Sequence, residues 1–477
     1  MDALLCDYEG KRMFLYLDKW KQNKTAVKDD SGYSLTYGEL CNLIQDFCSL
    51  KLPRCVVFCL CENSVGSLLG YLAFENNGQV PLLLSAKMDK EMRERLADLY
   101  YPSYYWLPDR MCENALGQLI FRTCGYALIK TNNEVYPLHE CLSLLLPTSG
   151  STGSPKLVRH KYGNLEANAE NVAKAFSWRS EEVGICDLPM NYTMGLNVIN
   201  SHLTIGATVL MVKANMMDPS FWSFIKENKG TSFCGVPFSY EIMRRIGFDK
   251  MNLPNLYTLA EGGGKLTDKM FRWIASYAAD NRKRFVATFG TSETSARISF
   301  LEPEKTMEKI GSIGKAIPNG ELFLINEQLE AEGSTIGELG YRGPNVTMGY
   351  AVSMVDLQKG DEFNGEYHTG DIARRDKEGY YYIVGRKGRF LKLFGLRVSL
   401  DETERILKTK FQNADFVCLG NDKRMNIYTT DPSIIGQIIP FISKKTNIHN
   451  SAFNIIVVES IPRNEYGKAL YAELEKE

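Results

Sequence analysis

The sequence predicts an α/β protein with more than one domain, and three observations support this fold class. First, strand-like and helix-like segments alternate through most of the chain, as in residues 55–60, 64–78 and 80–85. This βαβ order is typical of parallel sheets covered by helices. Second, 477 residues exceed the size of one ordinary hydrophobic core. Third, short β-rich pieces divided by Gly and Pro follow residue 300 and predict an appended β unit.

The composition excludes several classes of protein. A formal net charge of -1 gives no global attraction to nucleic acid or to an anionic membrane. The apolar runs are far shorter than the roughly 20 residues that span a bilayer. The 12 cysteines are scattered and follow no secretory signal, which favours reduced thiols and a cytoplasmic location. With 5 histidines and none paired at ligand spacing, no zinc site is predicted.

The C-terminal part is predicted to form a separate domain. A basic, glycine-bearing stretch at 385–395 precedes the helical-looking segment 399–411. Ser399 and Glu402, three residues apart, suit the capping box of that helix. We therefore expect an N-terminal domain over residues 1–385 and a C-terminal domain of roughly 90 residues over 386–477.

The most informative segment is 147-PTSGSTGSPK-156, which follows an apolar strand-like run. Glycines let the backbone turn tightly and point its amides inward, and the hydroxyls and the lysine add donors and positive charge. Such a loop can bind the phosphates of a nucleotide, although the order GK[ST] of the usual P-loop is absent. A Ser/Gly-rich surface turn is the alternative. The predicted phosphate-binding residues are Thr148, Ser149, Gly150, Ser151, Thr152, Gly153 and Lys156.

The order of residues in this loop resembles the phosphate loop of the adenylate-forming superfamily, which contains acyl-CoA synthetases, carrier-protein-loading adenylation domains and firefly luciferases. The likeness extends over nearly the whole chain through 36-TYGEL-40, 184-GICDLPMNYTMGL-196, 234-CGVPFSYEIM-243 and 262-GGGKL-266. It implies a large N-terminal domain of two α/β subdomains and a β-rich unit, with a small mobile α+β C-terminal domain. It also implies a glycine-rich strand beside adenine, at Gly262, Gly263 and Gly264.

A further motif, 287-ATFGTSETSA-296, is similar to the family's aromatic-Gly-x-Thr-Glu sequence. By this resemblance Phe289 stacks near adenine, and Gly290, Thr291 and Ser292 complete the nucleotide site. Glu293 would hold the Mg²⁺ that bridges the phosphates, and a carboxylate suits an ion that prefers oxygen ligands. Phe289 and Ser292 replace a commoner Tyr and Thr, but each keeps the stacking face or the hydroxyl.

Two C-terminal motifs complete the resemblance. In 367-YHTGDIA-373, Asp371 would accept hydrogen bonds from both ribose hydroxyls, and Arg386 would reach the ribose or a phosphate. The segment 461-IPRNEYGKALYAEL-474 is similar to the one that carries the family's catalytic lysine, here Lys468. A lone lysine near a C-terminus is otherwise a solvated charge. The resemblance thus gives Lys468, Glu293, Thr148 and Arg386 as catalytic residues.

These assignments imply an acid–thiol ligase that uses ATP and Mg²⁺. A carboxylate would attack the α-phosphorus of ATP, release pyrophosphate and form an acyl-adenylate, and a thiol would then take the acyl group. In this family the C-terminal domain turns between the two steps. The hinge position is Gly388, and glycine suits a large change of φ and ψ. After the turn, Lys392 would face the active site, although it is equally well read as an ordinary exposed lysine.

The acid and the thiol are less well defined. Tyr192, Thr193 and Gly195 are predicted to line the acyl pocket, and no acid stands near Thr193 to pair with the ammonium of an amino acid. The thiol belongs to coenzyme A or to the phosphopantetheine of an acyl carrier protein. The basic residues 386–397 could meet either one, or be a solvated face. A non-catalytic nucleotide-binding or acyl-binding homologue is a further alternative, and luciferase-like oxygenation has no feature in its favour.

Overall fold

The computed structural model describes residues 13–114, 117–147, 156–330, 333–393, 396–421, 423–446, 448–464 and 469–474. The predicted phosphate-loop residues Thr148, Ser149, Gly150, Ser151, Thr152 and Gly153 lie outside these ranges, as does Lys468. The remaining predicted site residues are all described.

The first half of the chain builds an eight-stranded sheet in the order β19-β9-β8-β4-β3-β5-β7-β6. Its central strands are parallel and buried on both faces, as expected for strands covered by helices on each side. The predicted βαβ unit is present as β3, α2 and β4. The strands are Val56–Cys61 (β3), Val80–Ser85 (β4), Tyr104–Pro108 (β5), Gln118–Thr123 (β6), Tyr126–Lys130 (β7), Leu142–Pro147 (β8), Leu157–Lys161 (β9) and Tyr350–Ala351 (β19).

A nine-stranded sheet follows, in the order β16-β15-β14-β13-β12-β10-β11-β1-β2. Strands β1 and β10 to β14 run parallel, and antiparallel strands close both edges. Its strands are Thr25–Asp29 (β1), Ser34–Thr36 (β2), Val183–Cys186 (β10), Thr208–Met211 (β11), Ser232–Gly235 (β12), Thr258–Glu261 (β13), Arg284–Thr291 (β14), Ala296–Leu301 (β15) and Lys315–Ala316 (β16).

Helices cover both large sheets. The largest buried cluster contains residues of both sheets and of α1, α2, α4 and α5, so these four helices lie between the sheets. Helices α6 to α8 cover the other face of the nine-stranded sheet, and α3 covers that of the eight-stranded sheet. The bounds are Tyr37–Ser49 (α1), Val65–Asn77 (α2), Lys90–Tyr100 (α3), Asn164–Phe176 (α4), Thr193–Thr204 (α5), Pro219–Glu227 (α6), Pro237–Arg245 (α7) and Asp268–Asp280 (α8).

The β unit predicted after residue 300 is a four-stranded antiparallel sheet in the order β17-β18-β20-β21. It has its own buried cluster, which includes Leu322, Leu339 and Tyr381. Its strands are Glu321–Leu329 (β17), Thr335–Arg342 (β18), Glu366–Arg375 (β20) and Tyr381–Arg386 (β21).

The C-terminal residues form a small α+β unit around a buried cluster of their own. Ser399 caps α9 by accepting a hydrogen bond from the Glu402 amide at 3.2 Å, which is one half of the predicted capping box. The Glu402 carboxylate pairs with Arg405 instead of returning to the Ser399 amide. Its elements are Phe390–Leu393 (β22), Leu396–Ser399 (β23), Leu400–Lys410 (α9), Phe416–Asn421 (β24), Arg424–Thr429 (β25), Ile435–Thr446 (α10), Phe453–Val457 (β26) and Tyr471–Leu474 (α11).

This unit contacts the body of the protein at the first turn of α8. Lys269 donates a hydrogen bond to the side chain of Gln412, and Asp268 lies 3.9 Å from the guanidinium of Arg405. Both contacts are polar and solvent-exposed, so they contribute little to stability.

No helix within the described ranges is long and apolar enough to cross a membrane. The cysteines in those ranges are all free thiols.

Candidate active site

Glu293 lies on a short turn between two antiparallel strands of the nine-stranded sheet. β14 ends at Thr291, Ser292–Thr294 form a 3-10 turn, and β15 begins at Ala296. Thr347 fixes this turn, because its amide and its hydroxyl each donate to the main-chain oxygen of Glu293 at 3.0 Å. The backbone that carries the half-buried Glu293 carboxylate is therefore fixed by two hydrogen bonds from Thr347.

The motif before Glu293 permits only glycine at position 290. A Cβ atom added there would lie 1.6 Å from the carbonyl oxygen of Ala296 on the paired strand. The strand register shifts between Phe289 and Gly290, which marks a bulge. The half-buried Phe289 therefore stands where the strand is bent beside the turn that carries Glu293.

Tyr350 connects Glu293 with Lys156. Its hydroxyl donates to Glu293 Oε1 at 2.7 Å, and Lys156 Nζ stands 5.3 Å from the centroid of its ring. Burial and the negative charge of Glu293 raise the pKa of Tyr350 far above its ordinary value, so the phenol is neutral at physiological pH. One aromatic residue therefore holds the predicted phosphate-binding cation by its ring and the predicted magnesium-binding carboxylate by its hydroxyl.

The pairing of β9 with β19 explains why these residues meet. Lys156 immediately precedes β9, and Val158 on that strand is the register partner of Tyr350 on β19. At the other edge of β9, Leu157 pairs with Pro147, the last residue of β8. The two ends of the predicted phosphate loop are thus held at neighbouring positions of the sheet.

The predicted acyl-pocket residues lie at the start of helix α5. Tyr192 is the N-cap, and Thr193 and Gly195 are in the first turn. The hydroxyl of Thr193 is 2.7 Å from that of Ser292, so the pocket residues and the Glu293 motif are in direct contact. A small buried cluster surrounds this end of the helix and consists of Leu188, Tyr192, Met194 and Val236.

The glycine-rich segment follows a strand and is not itself one, which corrects the prediction. β13 ends at Glu261, and Gly262, Gly263 and Gly264 form the loop after it. Gly263 has a φ of 78°, and a Cβ atom there would lie 2.7 Å from the hydroxyl of Tyr192. The glycines therefore bring the backbone close to the acyl-pocket residues.

Asp371 and Arg386 are register partners on β20 and β21. Arg386 Nε donates to Asp371 Oδ1 at 2.8 Å, and the negative charge of Asp371 raises the pKa of Arg386. The aspartate side chain is 6% exposed and the arginine side chain 59%. The pair predicted for the ribose is thus assembled, with the guanidinium bound to the carboxylate and partly open to solvent.

Tyr367 connects this pair with the turn that carries Glu293. Its hydroxyl is 3.2 Å from that of Tyr350. Burial and the charge of Glu293 raise the pKa of Tyr367, and the charge of Arg386 opposes that rise. The residues predicted for the phosphates and the metal therefore contact one another through Tyr350, and Asp371 of the ribose pair lies on the same strand as Tyr367, β20.

Gly388 lies between β21 and β22, as expected for a hinge. Its φ is 95°, a region that favours glycine, and among the described residues other than its chain neighbours no atom lies within 4 Å of the position that a Cβ would take. β21 continues through Arg386, one residue beyond the predicted domain boundary at residue 385.

Sequence reasoning missed Tyr350 and Thr347. Both belong to the stretch 337–350, which was interpreted only as part of the β unit. Their contacts with Glu293 span 57 and 54 residues. The pattern that could have indicated them is weak: Thr347 and Tyr350 stand close to a glycine at the end of a β-rich stretch.

The described residues provide one half-buried carboxylate, Glu293, beside the Lys156 ammonium. Within those parts of the chain, no three His, Cys, Asp or Glu side chains cluster as a complete metal-ligand set. Mg²⁺ commonly takes only one or two carboxylates and completes its shell with water and substrate phosphates. Glu293 therefore fits the protein's share of such a site.

The sequence is similar to those of enzymes with a named activity. A 2-succinylbenzoate–CoA ligase of Bacillus cereus is 26% identical over 355 residues, covering 72% of this chain and 71% of the ligase. One from Bacillus anthracis is also 26% identical with the same coverage. These relatives are named CoA ligases, which confirms the prediction of an acid–thiol ligase.

The fold has solved counterparts. An o-succinylbenzoate CoA synthetase (MenE) from Bacillus subtilis, in complex with its acyl-adenylate intermediate, aligns with a TM-score of 0.78 at 19% identity over 98% of both chains. ATP-bound MatB from Rhodopseudomonas palustris aligns with a TM-score of 0.75 at 19% identity over 98% of both chains. These similarities confirm the predicted α/β fold class.

The sequence profile of the AMP-binding enzyme family matches residues 108–351, a range that starts in the eight-stranded sheet and ends at β19. It contains the predicted phosphate loop, the acyl-pocket residues, Glu293 and Tyr350. Since this match spans more than half of the chain, the protein belongs to the AMP-binding enzyme family.

Proposed function

We propose that this chain activates a small carboxylic acid with ATP, releases pyrophosphate, and transfers the acyl group from the acyl-adenylate to the thiol of coenzyme A. The observation that carries this proposal is the connected group around Tyr350. It joins a cation for the phosphates (Lys156) and a carboxylate for Mg²⁺ (Glu293). Tyr367, which contacts Tyr350, lies on the same strand as Asp371 of the ribose pair.

The first step requires charge neutralisation more than acid–base catalysis. The attacking carboxylate is already ionised at neutral pH, so no general base is needed. Two anions must approach each other in line, and positive groups around the phosphates lower that barrier. Mg²⁺ bound at Glu293 would neutralise charge on the phosphate oxygens. Lys156 and Lys468 are the cations proposed for the departing pyrophosphate and for the reacting carboxylate.

The second step is proposed to use the C-terminal unit. Residues 386–477 would turn about Gly388, withdraw Lys468 and open a path for the thiol, with Lys392 facing the site afterwards. The support is local: Gly388 has a φ of 95° and open space around it, between units that each have their own buried cluster. The contacts of α8 with Arg405 and Gln412 are polar and exposed, so breaking them costs little.

Coenzyme A is the favoured acceptor because the named relatives are CoA ligases. An acyl carrier protein was the alternative, and it relied partly on the basic run 386–397. Several of those side chains are already paired within the chain: Arg386 with Asp371, Lys387 with Glu338, and Arg389 with Asp401 and Glu404. Such paired charges leave less positive surface for an acidic carrier helix. A cytoplasmic location, where ATP and CoA are available, completes the proposal.

The test is pyrophosphate release from ATP and Mg²⁺ without a thiol, against a panel of acids. The panel contains short, long-chain, hydroxy, amino and aromatic acids, together with the relatives' 2-succinylbenzoate. We expect release with one chemical class, and acyl-CoA formation when CoA is added. Amino acids should give none, since no acid stands near Thr193 to pair with their ammonium.

Two matched lysines provide the control. Lys156→Met should abolish release, whereas Lys161→Met should retain it, because Lys161 on the same strand is paired with Asp361 at 2.5 Å. If the wild-type protein binds ATP but releases no pyrophosphate with any acid of the panel, it is a non-catalytic binder. If the acyl group is transferred to a carrier protein and not to CoA, the proposed acceptor is wrong and the carrier protein takes its place.

A further inference from the structure

Arg389, the first residue after the proposed hinge, is tied to helix α9 by its side chain and by its main chain. Its Nε donates to Asp401 and its Nη2 donates to Glu404, each at 2.5 Å. The amide of Leu400, the first residue of α9, donates to the Arg389 carbonyl at 2.9 Å. The arginine side chain is 15% exposed, so salt screens these ion pairs less than it screens pairs at the surface. The chain on the C-terminal side of the hinge is therefore fixed to α9.

The same guanidinium lies against the segment that carries the proposed catalytic lysine. Its central carbon is 4.4 Å from the centroid of the Tyr471 ring, which is a cation–π contact. Burial raises the pKa of Tyr471, and the charge of Arg389 opposes that rise. Tyr471 begins α11 and follows Lys468 by three positions. Three residues of chain reach at most about 11 Å, so Arg389 holds an aromatic ring that is close to Lys468.

Arg386, on the other side of the hinge, acts on the same tyrosine. Its charge also opposes the rise that burial causes in the pKa of Tyr471. Asp371 contributes most to the raised pKa of Arg386, and Asp401 of α9 adds to it. Charges act on one another mainly within about 10 Å, the screening length at ordinary salt. The tyrosine of α11 and the aspartate of α9 therefore lie close to the pair proposed for the ribose.

Other contacts fix the lysine segment to the C-terminal unit at places away from the hinge. Leu474, at the end of α11, is buried in an apolar cluster that includes Val417 of β24. The amide of Leu470 donates to the Pro462 carbonyl at 2.8 Å, which closes the loop around Lys468. Neither contact involves the hinge, whereas the stacking of Arg389 on the tyrosine ring does. This stacking therefore sets how the lysine segment is oriented relative to the hinge.

We infer that Arg389 is a positioning residue, which couples the hinge to the placement of Lys468 through the ring of Tyr471. Two carboxylates of α9 fix its guanidinium, and the guanidinium fixes the tyrosine ring. A cation that is already in place stabilises a developing charge better than one that must first be ordered. The inference rests on the proposed function, and it adds Arg389 and Tyr471 to the residues on which the adenylation step depends.

The first test removes each side of the stacking contact in turn. Tyr471→Leu removes the aromatic face and keeps both ion pairs of Arg389, whereas Arg389→Met removes the cation. Each should lower kcat for pyrophosphate release by about tenfold or more, because misplacing a reacting group by about 1 Å can cost about 100-fold. The KM for ATP should stay within about twofold of wild type, since neither residue is proposed to bind ATP. Tyr471→Phe keeps the ring and should retain the wild-type kcat.

A second arginine of the same helix provides the matched control. Arg405 pairs with Glu402 at 2.6 Å, and Arg405→Met therefore removes an ion pair of α9 without removing the ring contact. It should leave kcat for pyrophosphate release unchanged. Thioester synthesis from supplied acyl-adenylate should stay within about twofold of wild type in Tyr471→Leu, since that step would not use Lys468. If Tyr471→Leu lowers both half-reactions equally, or lowers neither, the inference is wrong and the proposed function stands.

Combining these variants with Lys468→Ala separates positioning from a general structural role. Residues that act independently multiply their effects on a rate, whereas residues that act through one another do not. In the Lys468→Ala background, Tyr471→Leu should therefore change the residual rate of pyrophosphate release by less than about twofold. If the double variant loses a further factor of about ten relative to Lys468→Ala, the tyrosine acts independently of the lysine and the inference is wrong.

Hydrogen exchange distinguishes the failure of this inference from the failure of the proposed function, because it needs no turnover. Peptides that cover residues 469–474 should exchange about threefold faster or more in Arg389→Met than in wild type, and at the wild-type rate in Arg405→Met. If no acid produces pyrophosphate, the proposed function fails, and this comparison alone decides whether Arg389 holds the lysine segment. Equal exchange in Arg389→Met and wild type would overturn the inference.

Discussion

The side chain of Tyr350 makes two contacts that can be separated by mutation. Its ring lies under the ammonium of Lys156, and its hydroxyl donates to Glu293. The ring contact needs only an aromatic face, whereas the second contact needs the hydroxyl. Tyr350 is thus a positioning residue whose effects on ATP and on Mg²⁺ should be distinguishable.

We predict that Tyr350→Phe raises the Mg²⁺ concentration needed for half-maximal pyrophosphate release by about tenfold, the size expected for a lost hydrogen bond to a charged group. The KM for ATP should change little, because the ring under Lys156 remains. Tyr350→Leu should raise both. Magnesium titrations at saturating ATP measure the effect, with the exposed Tyr33→Phe as control. Equal magnesium dependence in Tyr350→Phe and wild type would contradict the assignment.

Among single residues, the sequence predicted those that stand in short, contiguous motifs. Lys156, Glu293 and Asp371 each stand in a short motif, and Tyr350 connects the first two in the structure. Tyr350 could not be predicted, because its contact with Glu293 depends on the pairing of β19 with β9 across the fold. A short motif does not show which distant side chain will donate a hydrogen bond to its carboxylate.

Secondary structure elements place most of the candidate site at strand ends. β13, β14 and β8 each lead into a predicted binding segment: the Gly262–264 loop, the Glu293 turn and the phosphate loop. The βαβ pattern predicted the strands well because a strand buried on both faces is a continuous apolar run. It did not predict their ends. The glycines after Glu261 were predicted as a strand but lie beyond its end, because tertiary contacts decide where regular hydrogen bonding stops.

The segment around Gly388 is the element for which we predict a kinetic effect. Alanine at position 388 would meet no atom within 4 Å but is strained at a φ of 95°, so Gly388→Ala should alter the balance between the conformations of the hinge. We expect the acyl-transfer step to slow more than adenylation, measured separately as thioester formed from supplied acyl-adenylate and as pyrophosphate released.

Gly365→Ala is the matched control for this prediction. Gly365 also has a positive φ, 77°, and open space around its Cβ position, but it lies in the loop before β20. The two variants should lose similar stability, and only Gly388→Ala should change the ratio of the two rates. If both leave that ratio unchanged, the hinge is elsewhere.

On the scale of the whole molecule, the C-terminal unit contacts a larger body. The strands of that body carry the other candidate residues. On this unit, Arg463 pairs with Asp415 at 2.9 Å, and a β-bridge joins Arg463 to Ala469. Lys468 lies between Arg463 and Ala469 in the sequence, so its proposed role depends on where the unit lies in each step.

We predict that Lys468→Ala lowers pyrophosphate release by at least about 100-fold, because it removes a cation from the meeting point of two anions. Thioester synthesis from supplied acyl-adenylate should be spared, since that step would not use this lysine. Lys410→Ala, at an exposed lysine of α9, serves as control and should leave both steps unchanged. Equal loss of both steps in Lys468→Ala would contradict the role.

The position of β1 has a consequence for how the protein is made. β1 pairs with β11, and the contact between Lys24 and the Gly206 carbonyl at that junction spans 182 residues. Ribosomes add about 5–20 residues per second, so on the order of ten seconds or more pass before β1 meets its partner. The intervening chain meanwhile supplies most of the eight-stranded sheet. Nascent or truncated chains that end before Met211 therefore carry an unpaired strand edge, and this edge makes them prone to aggregate.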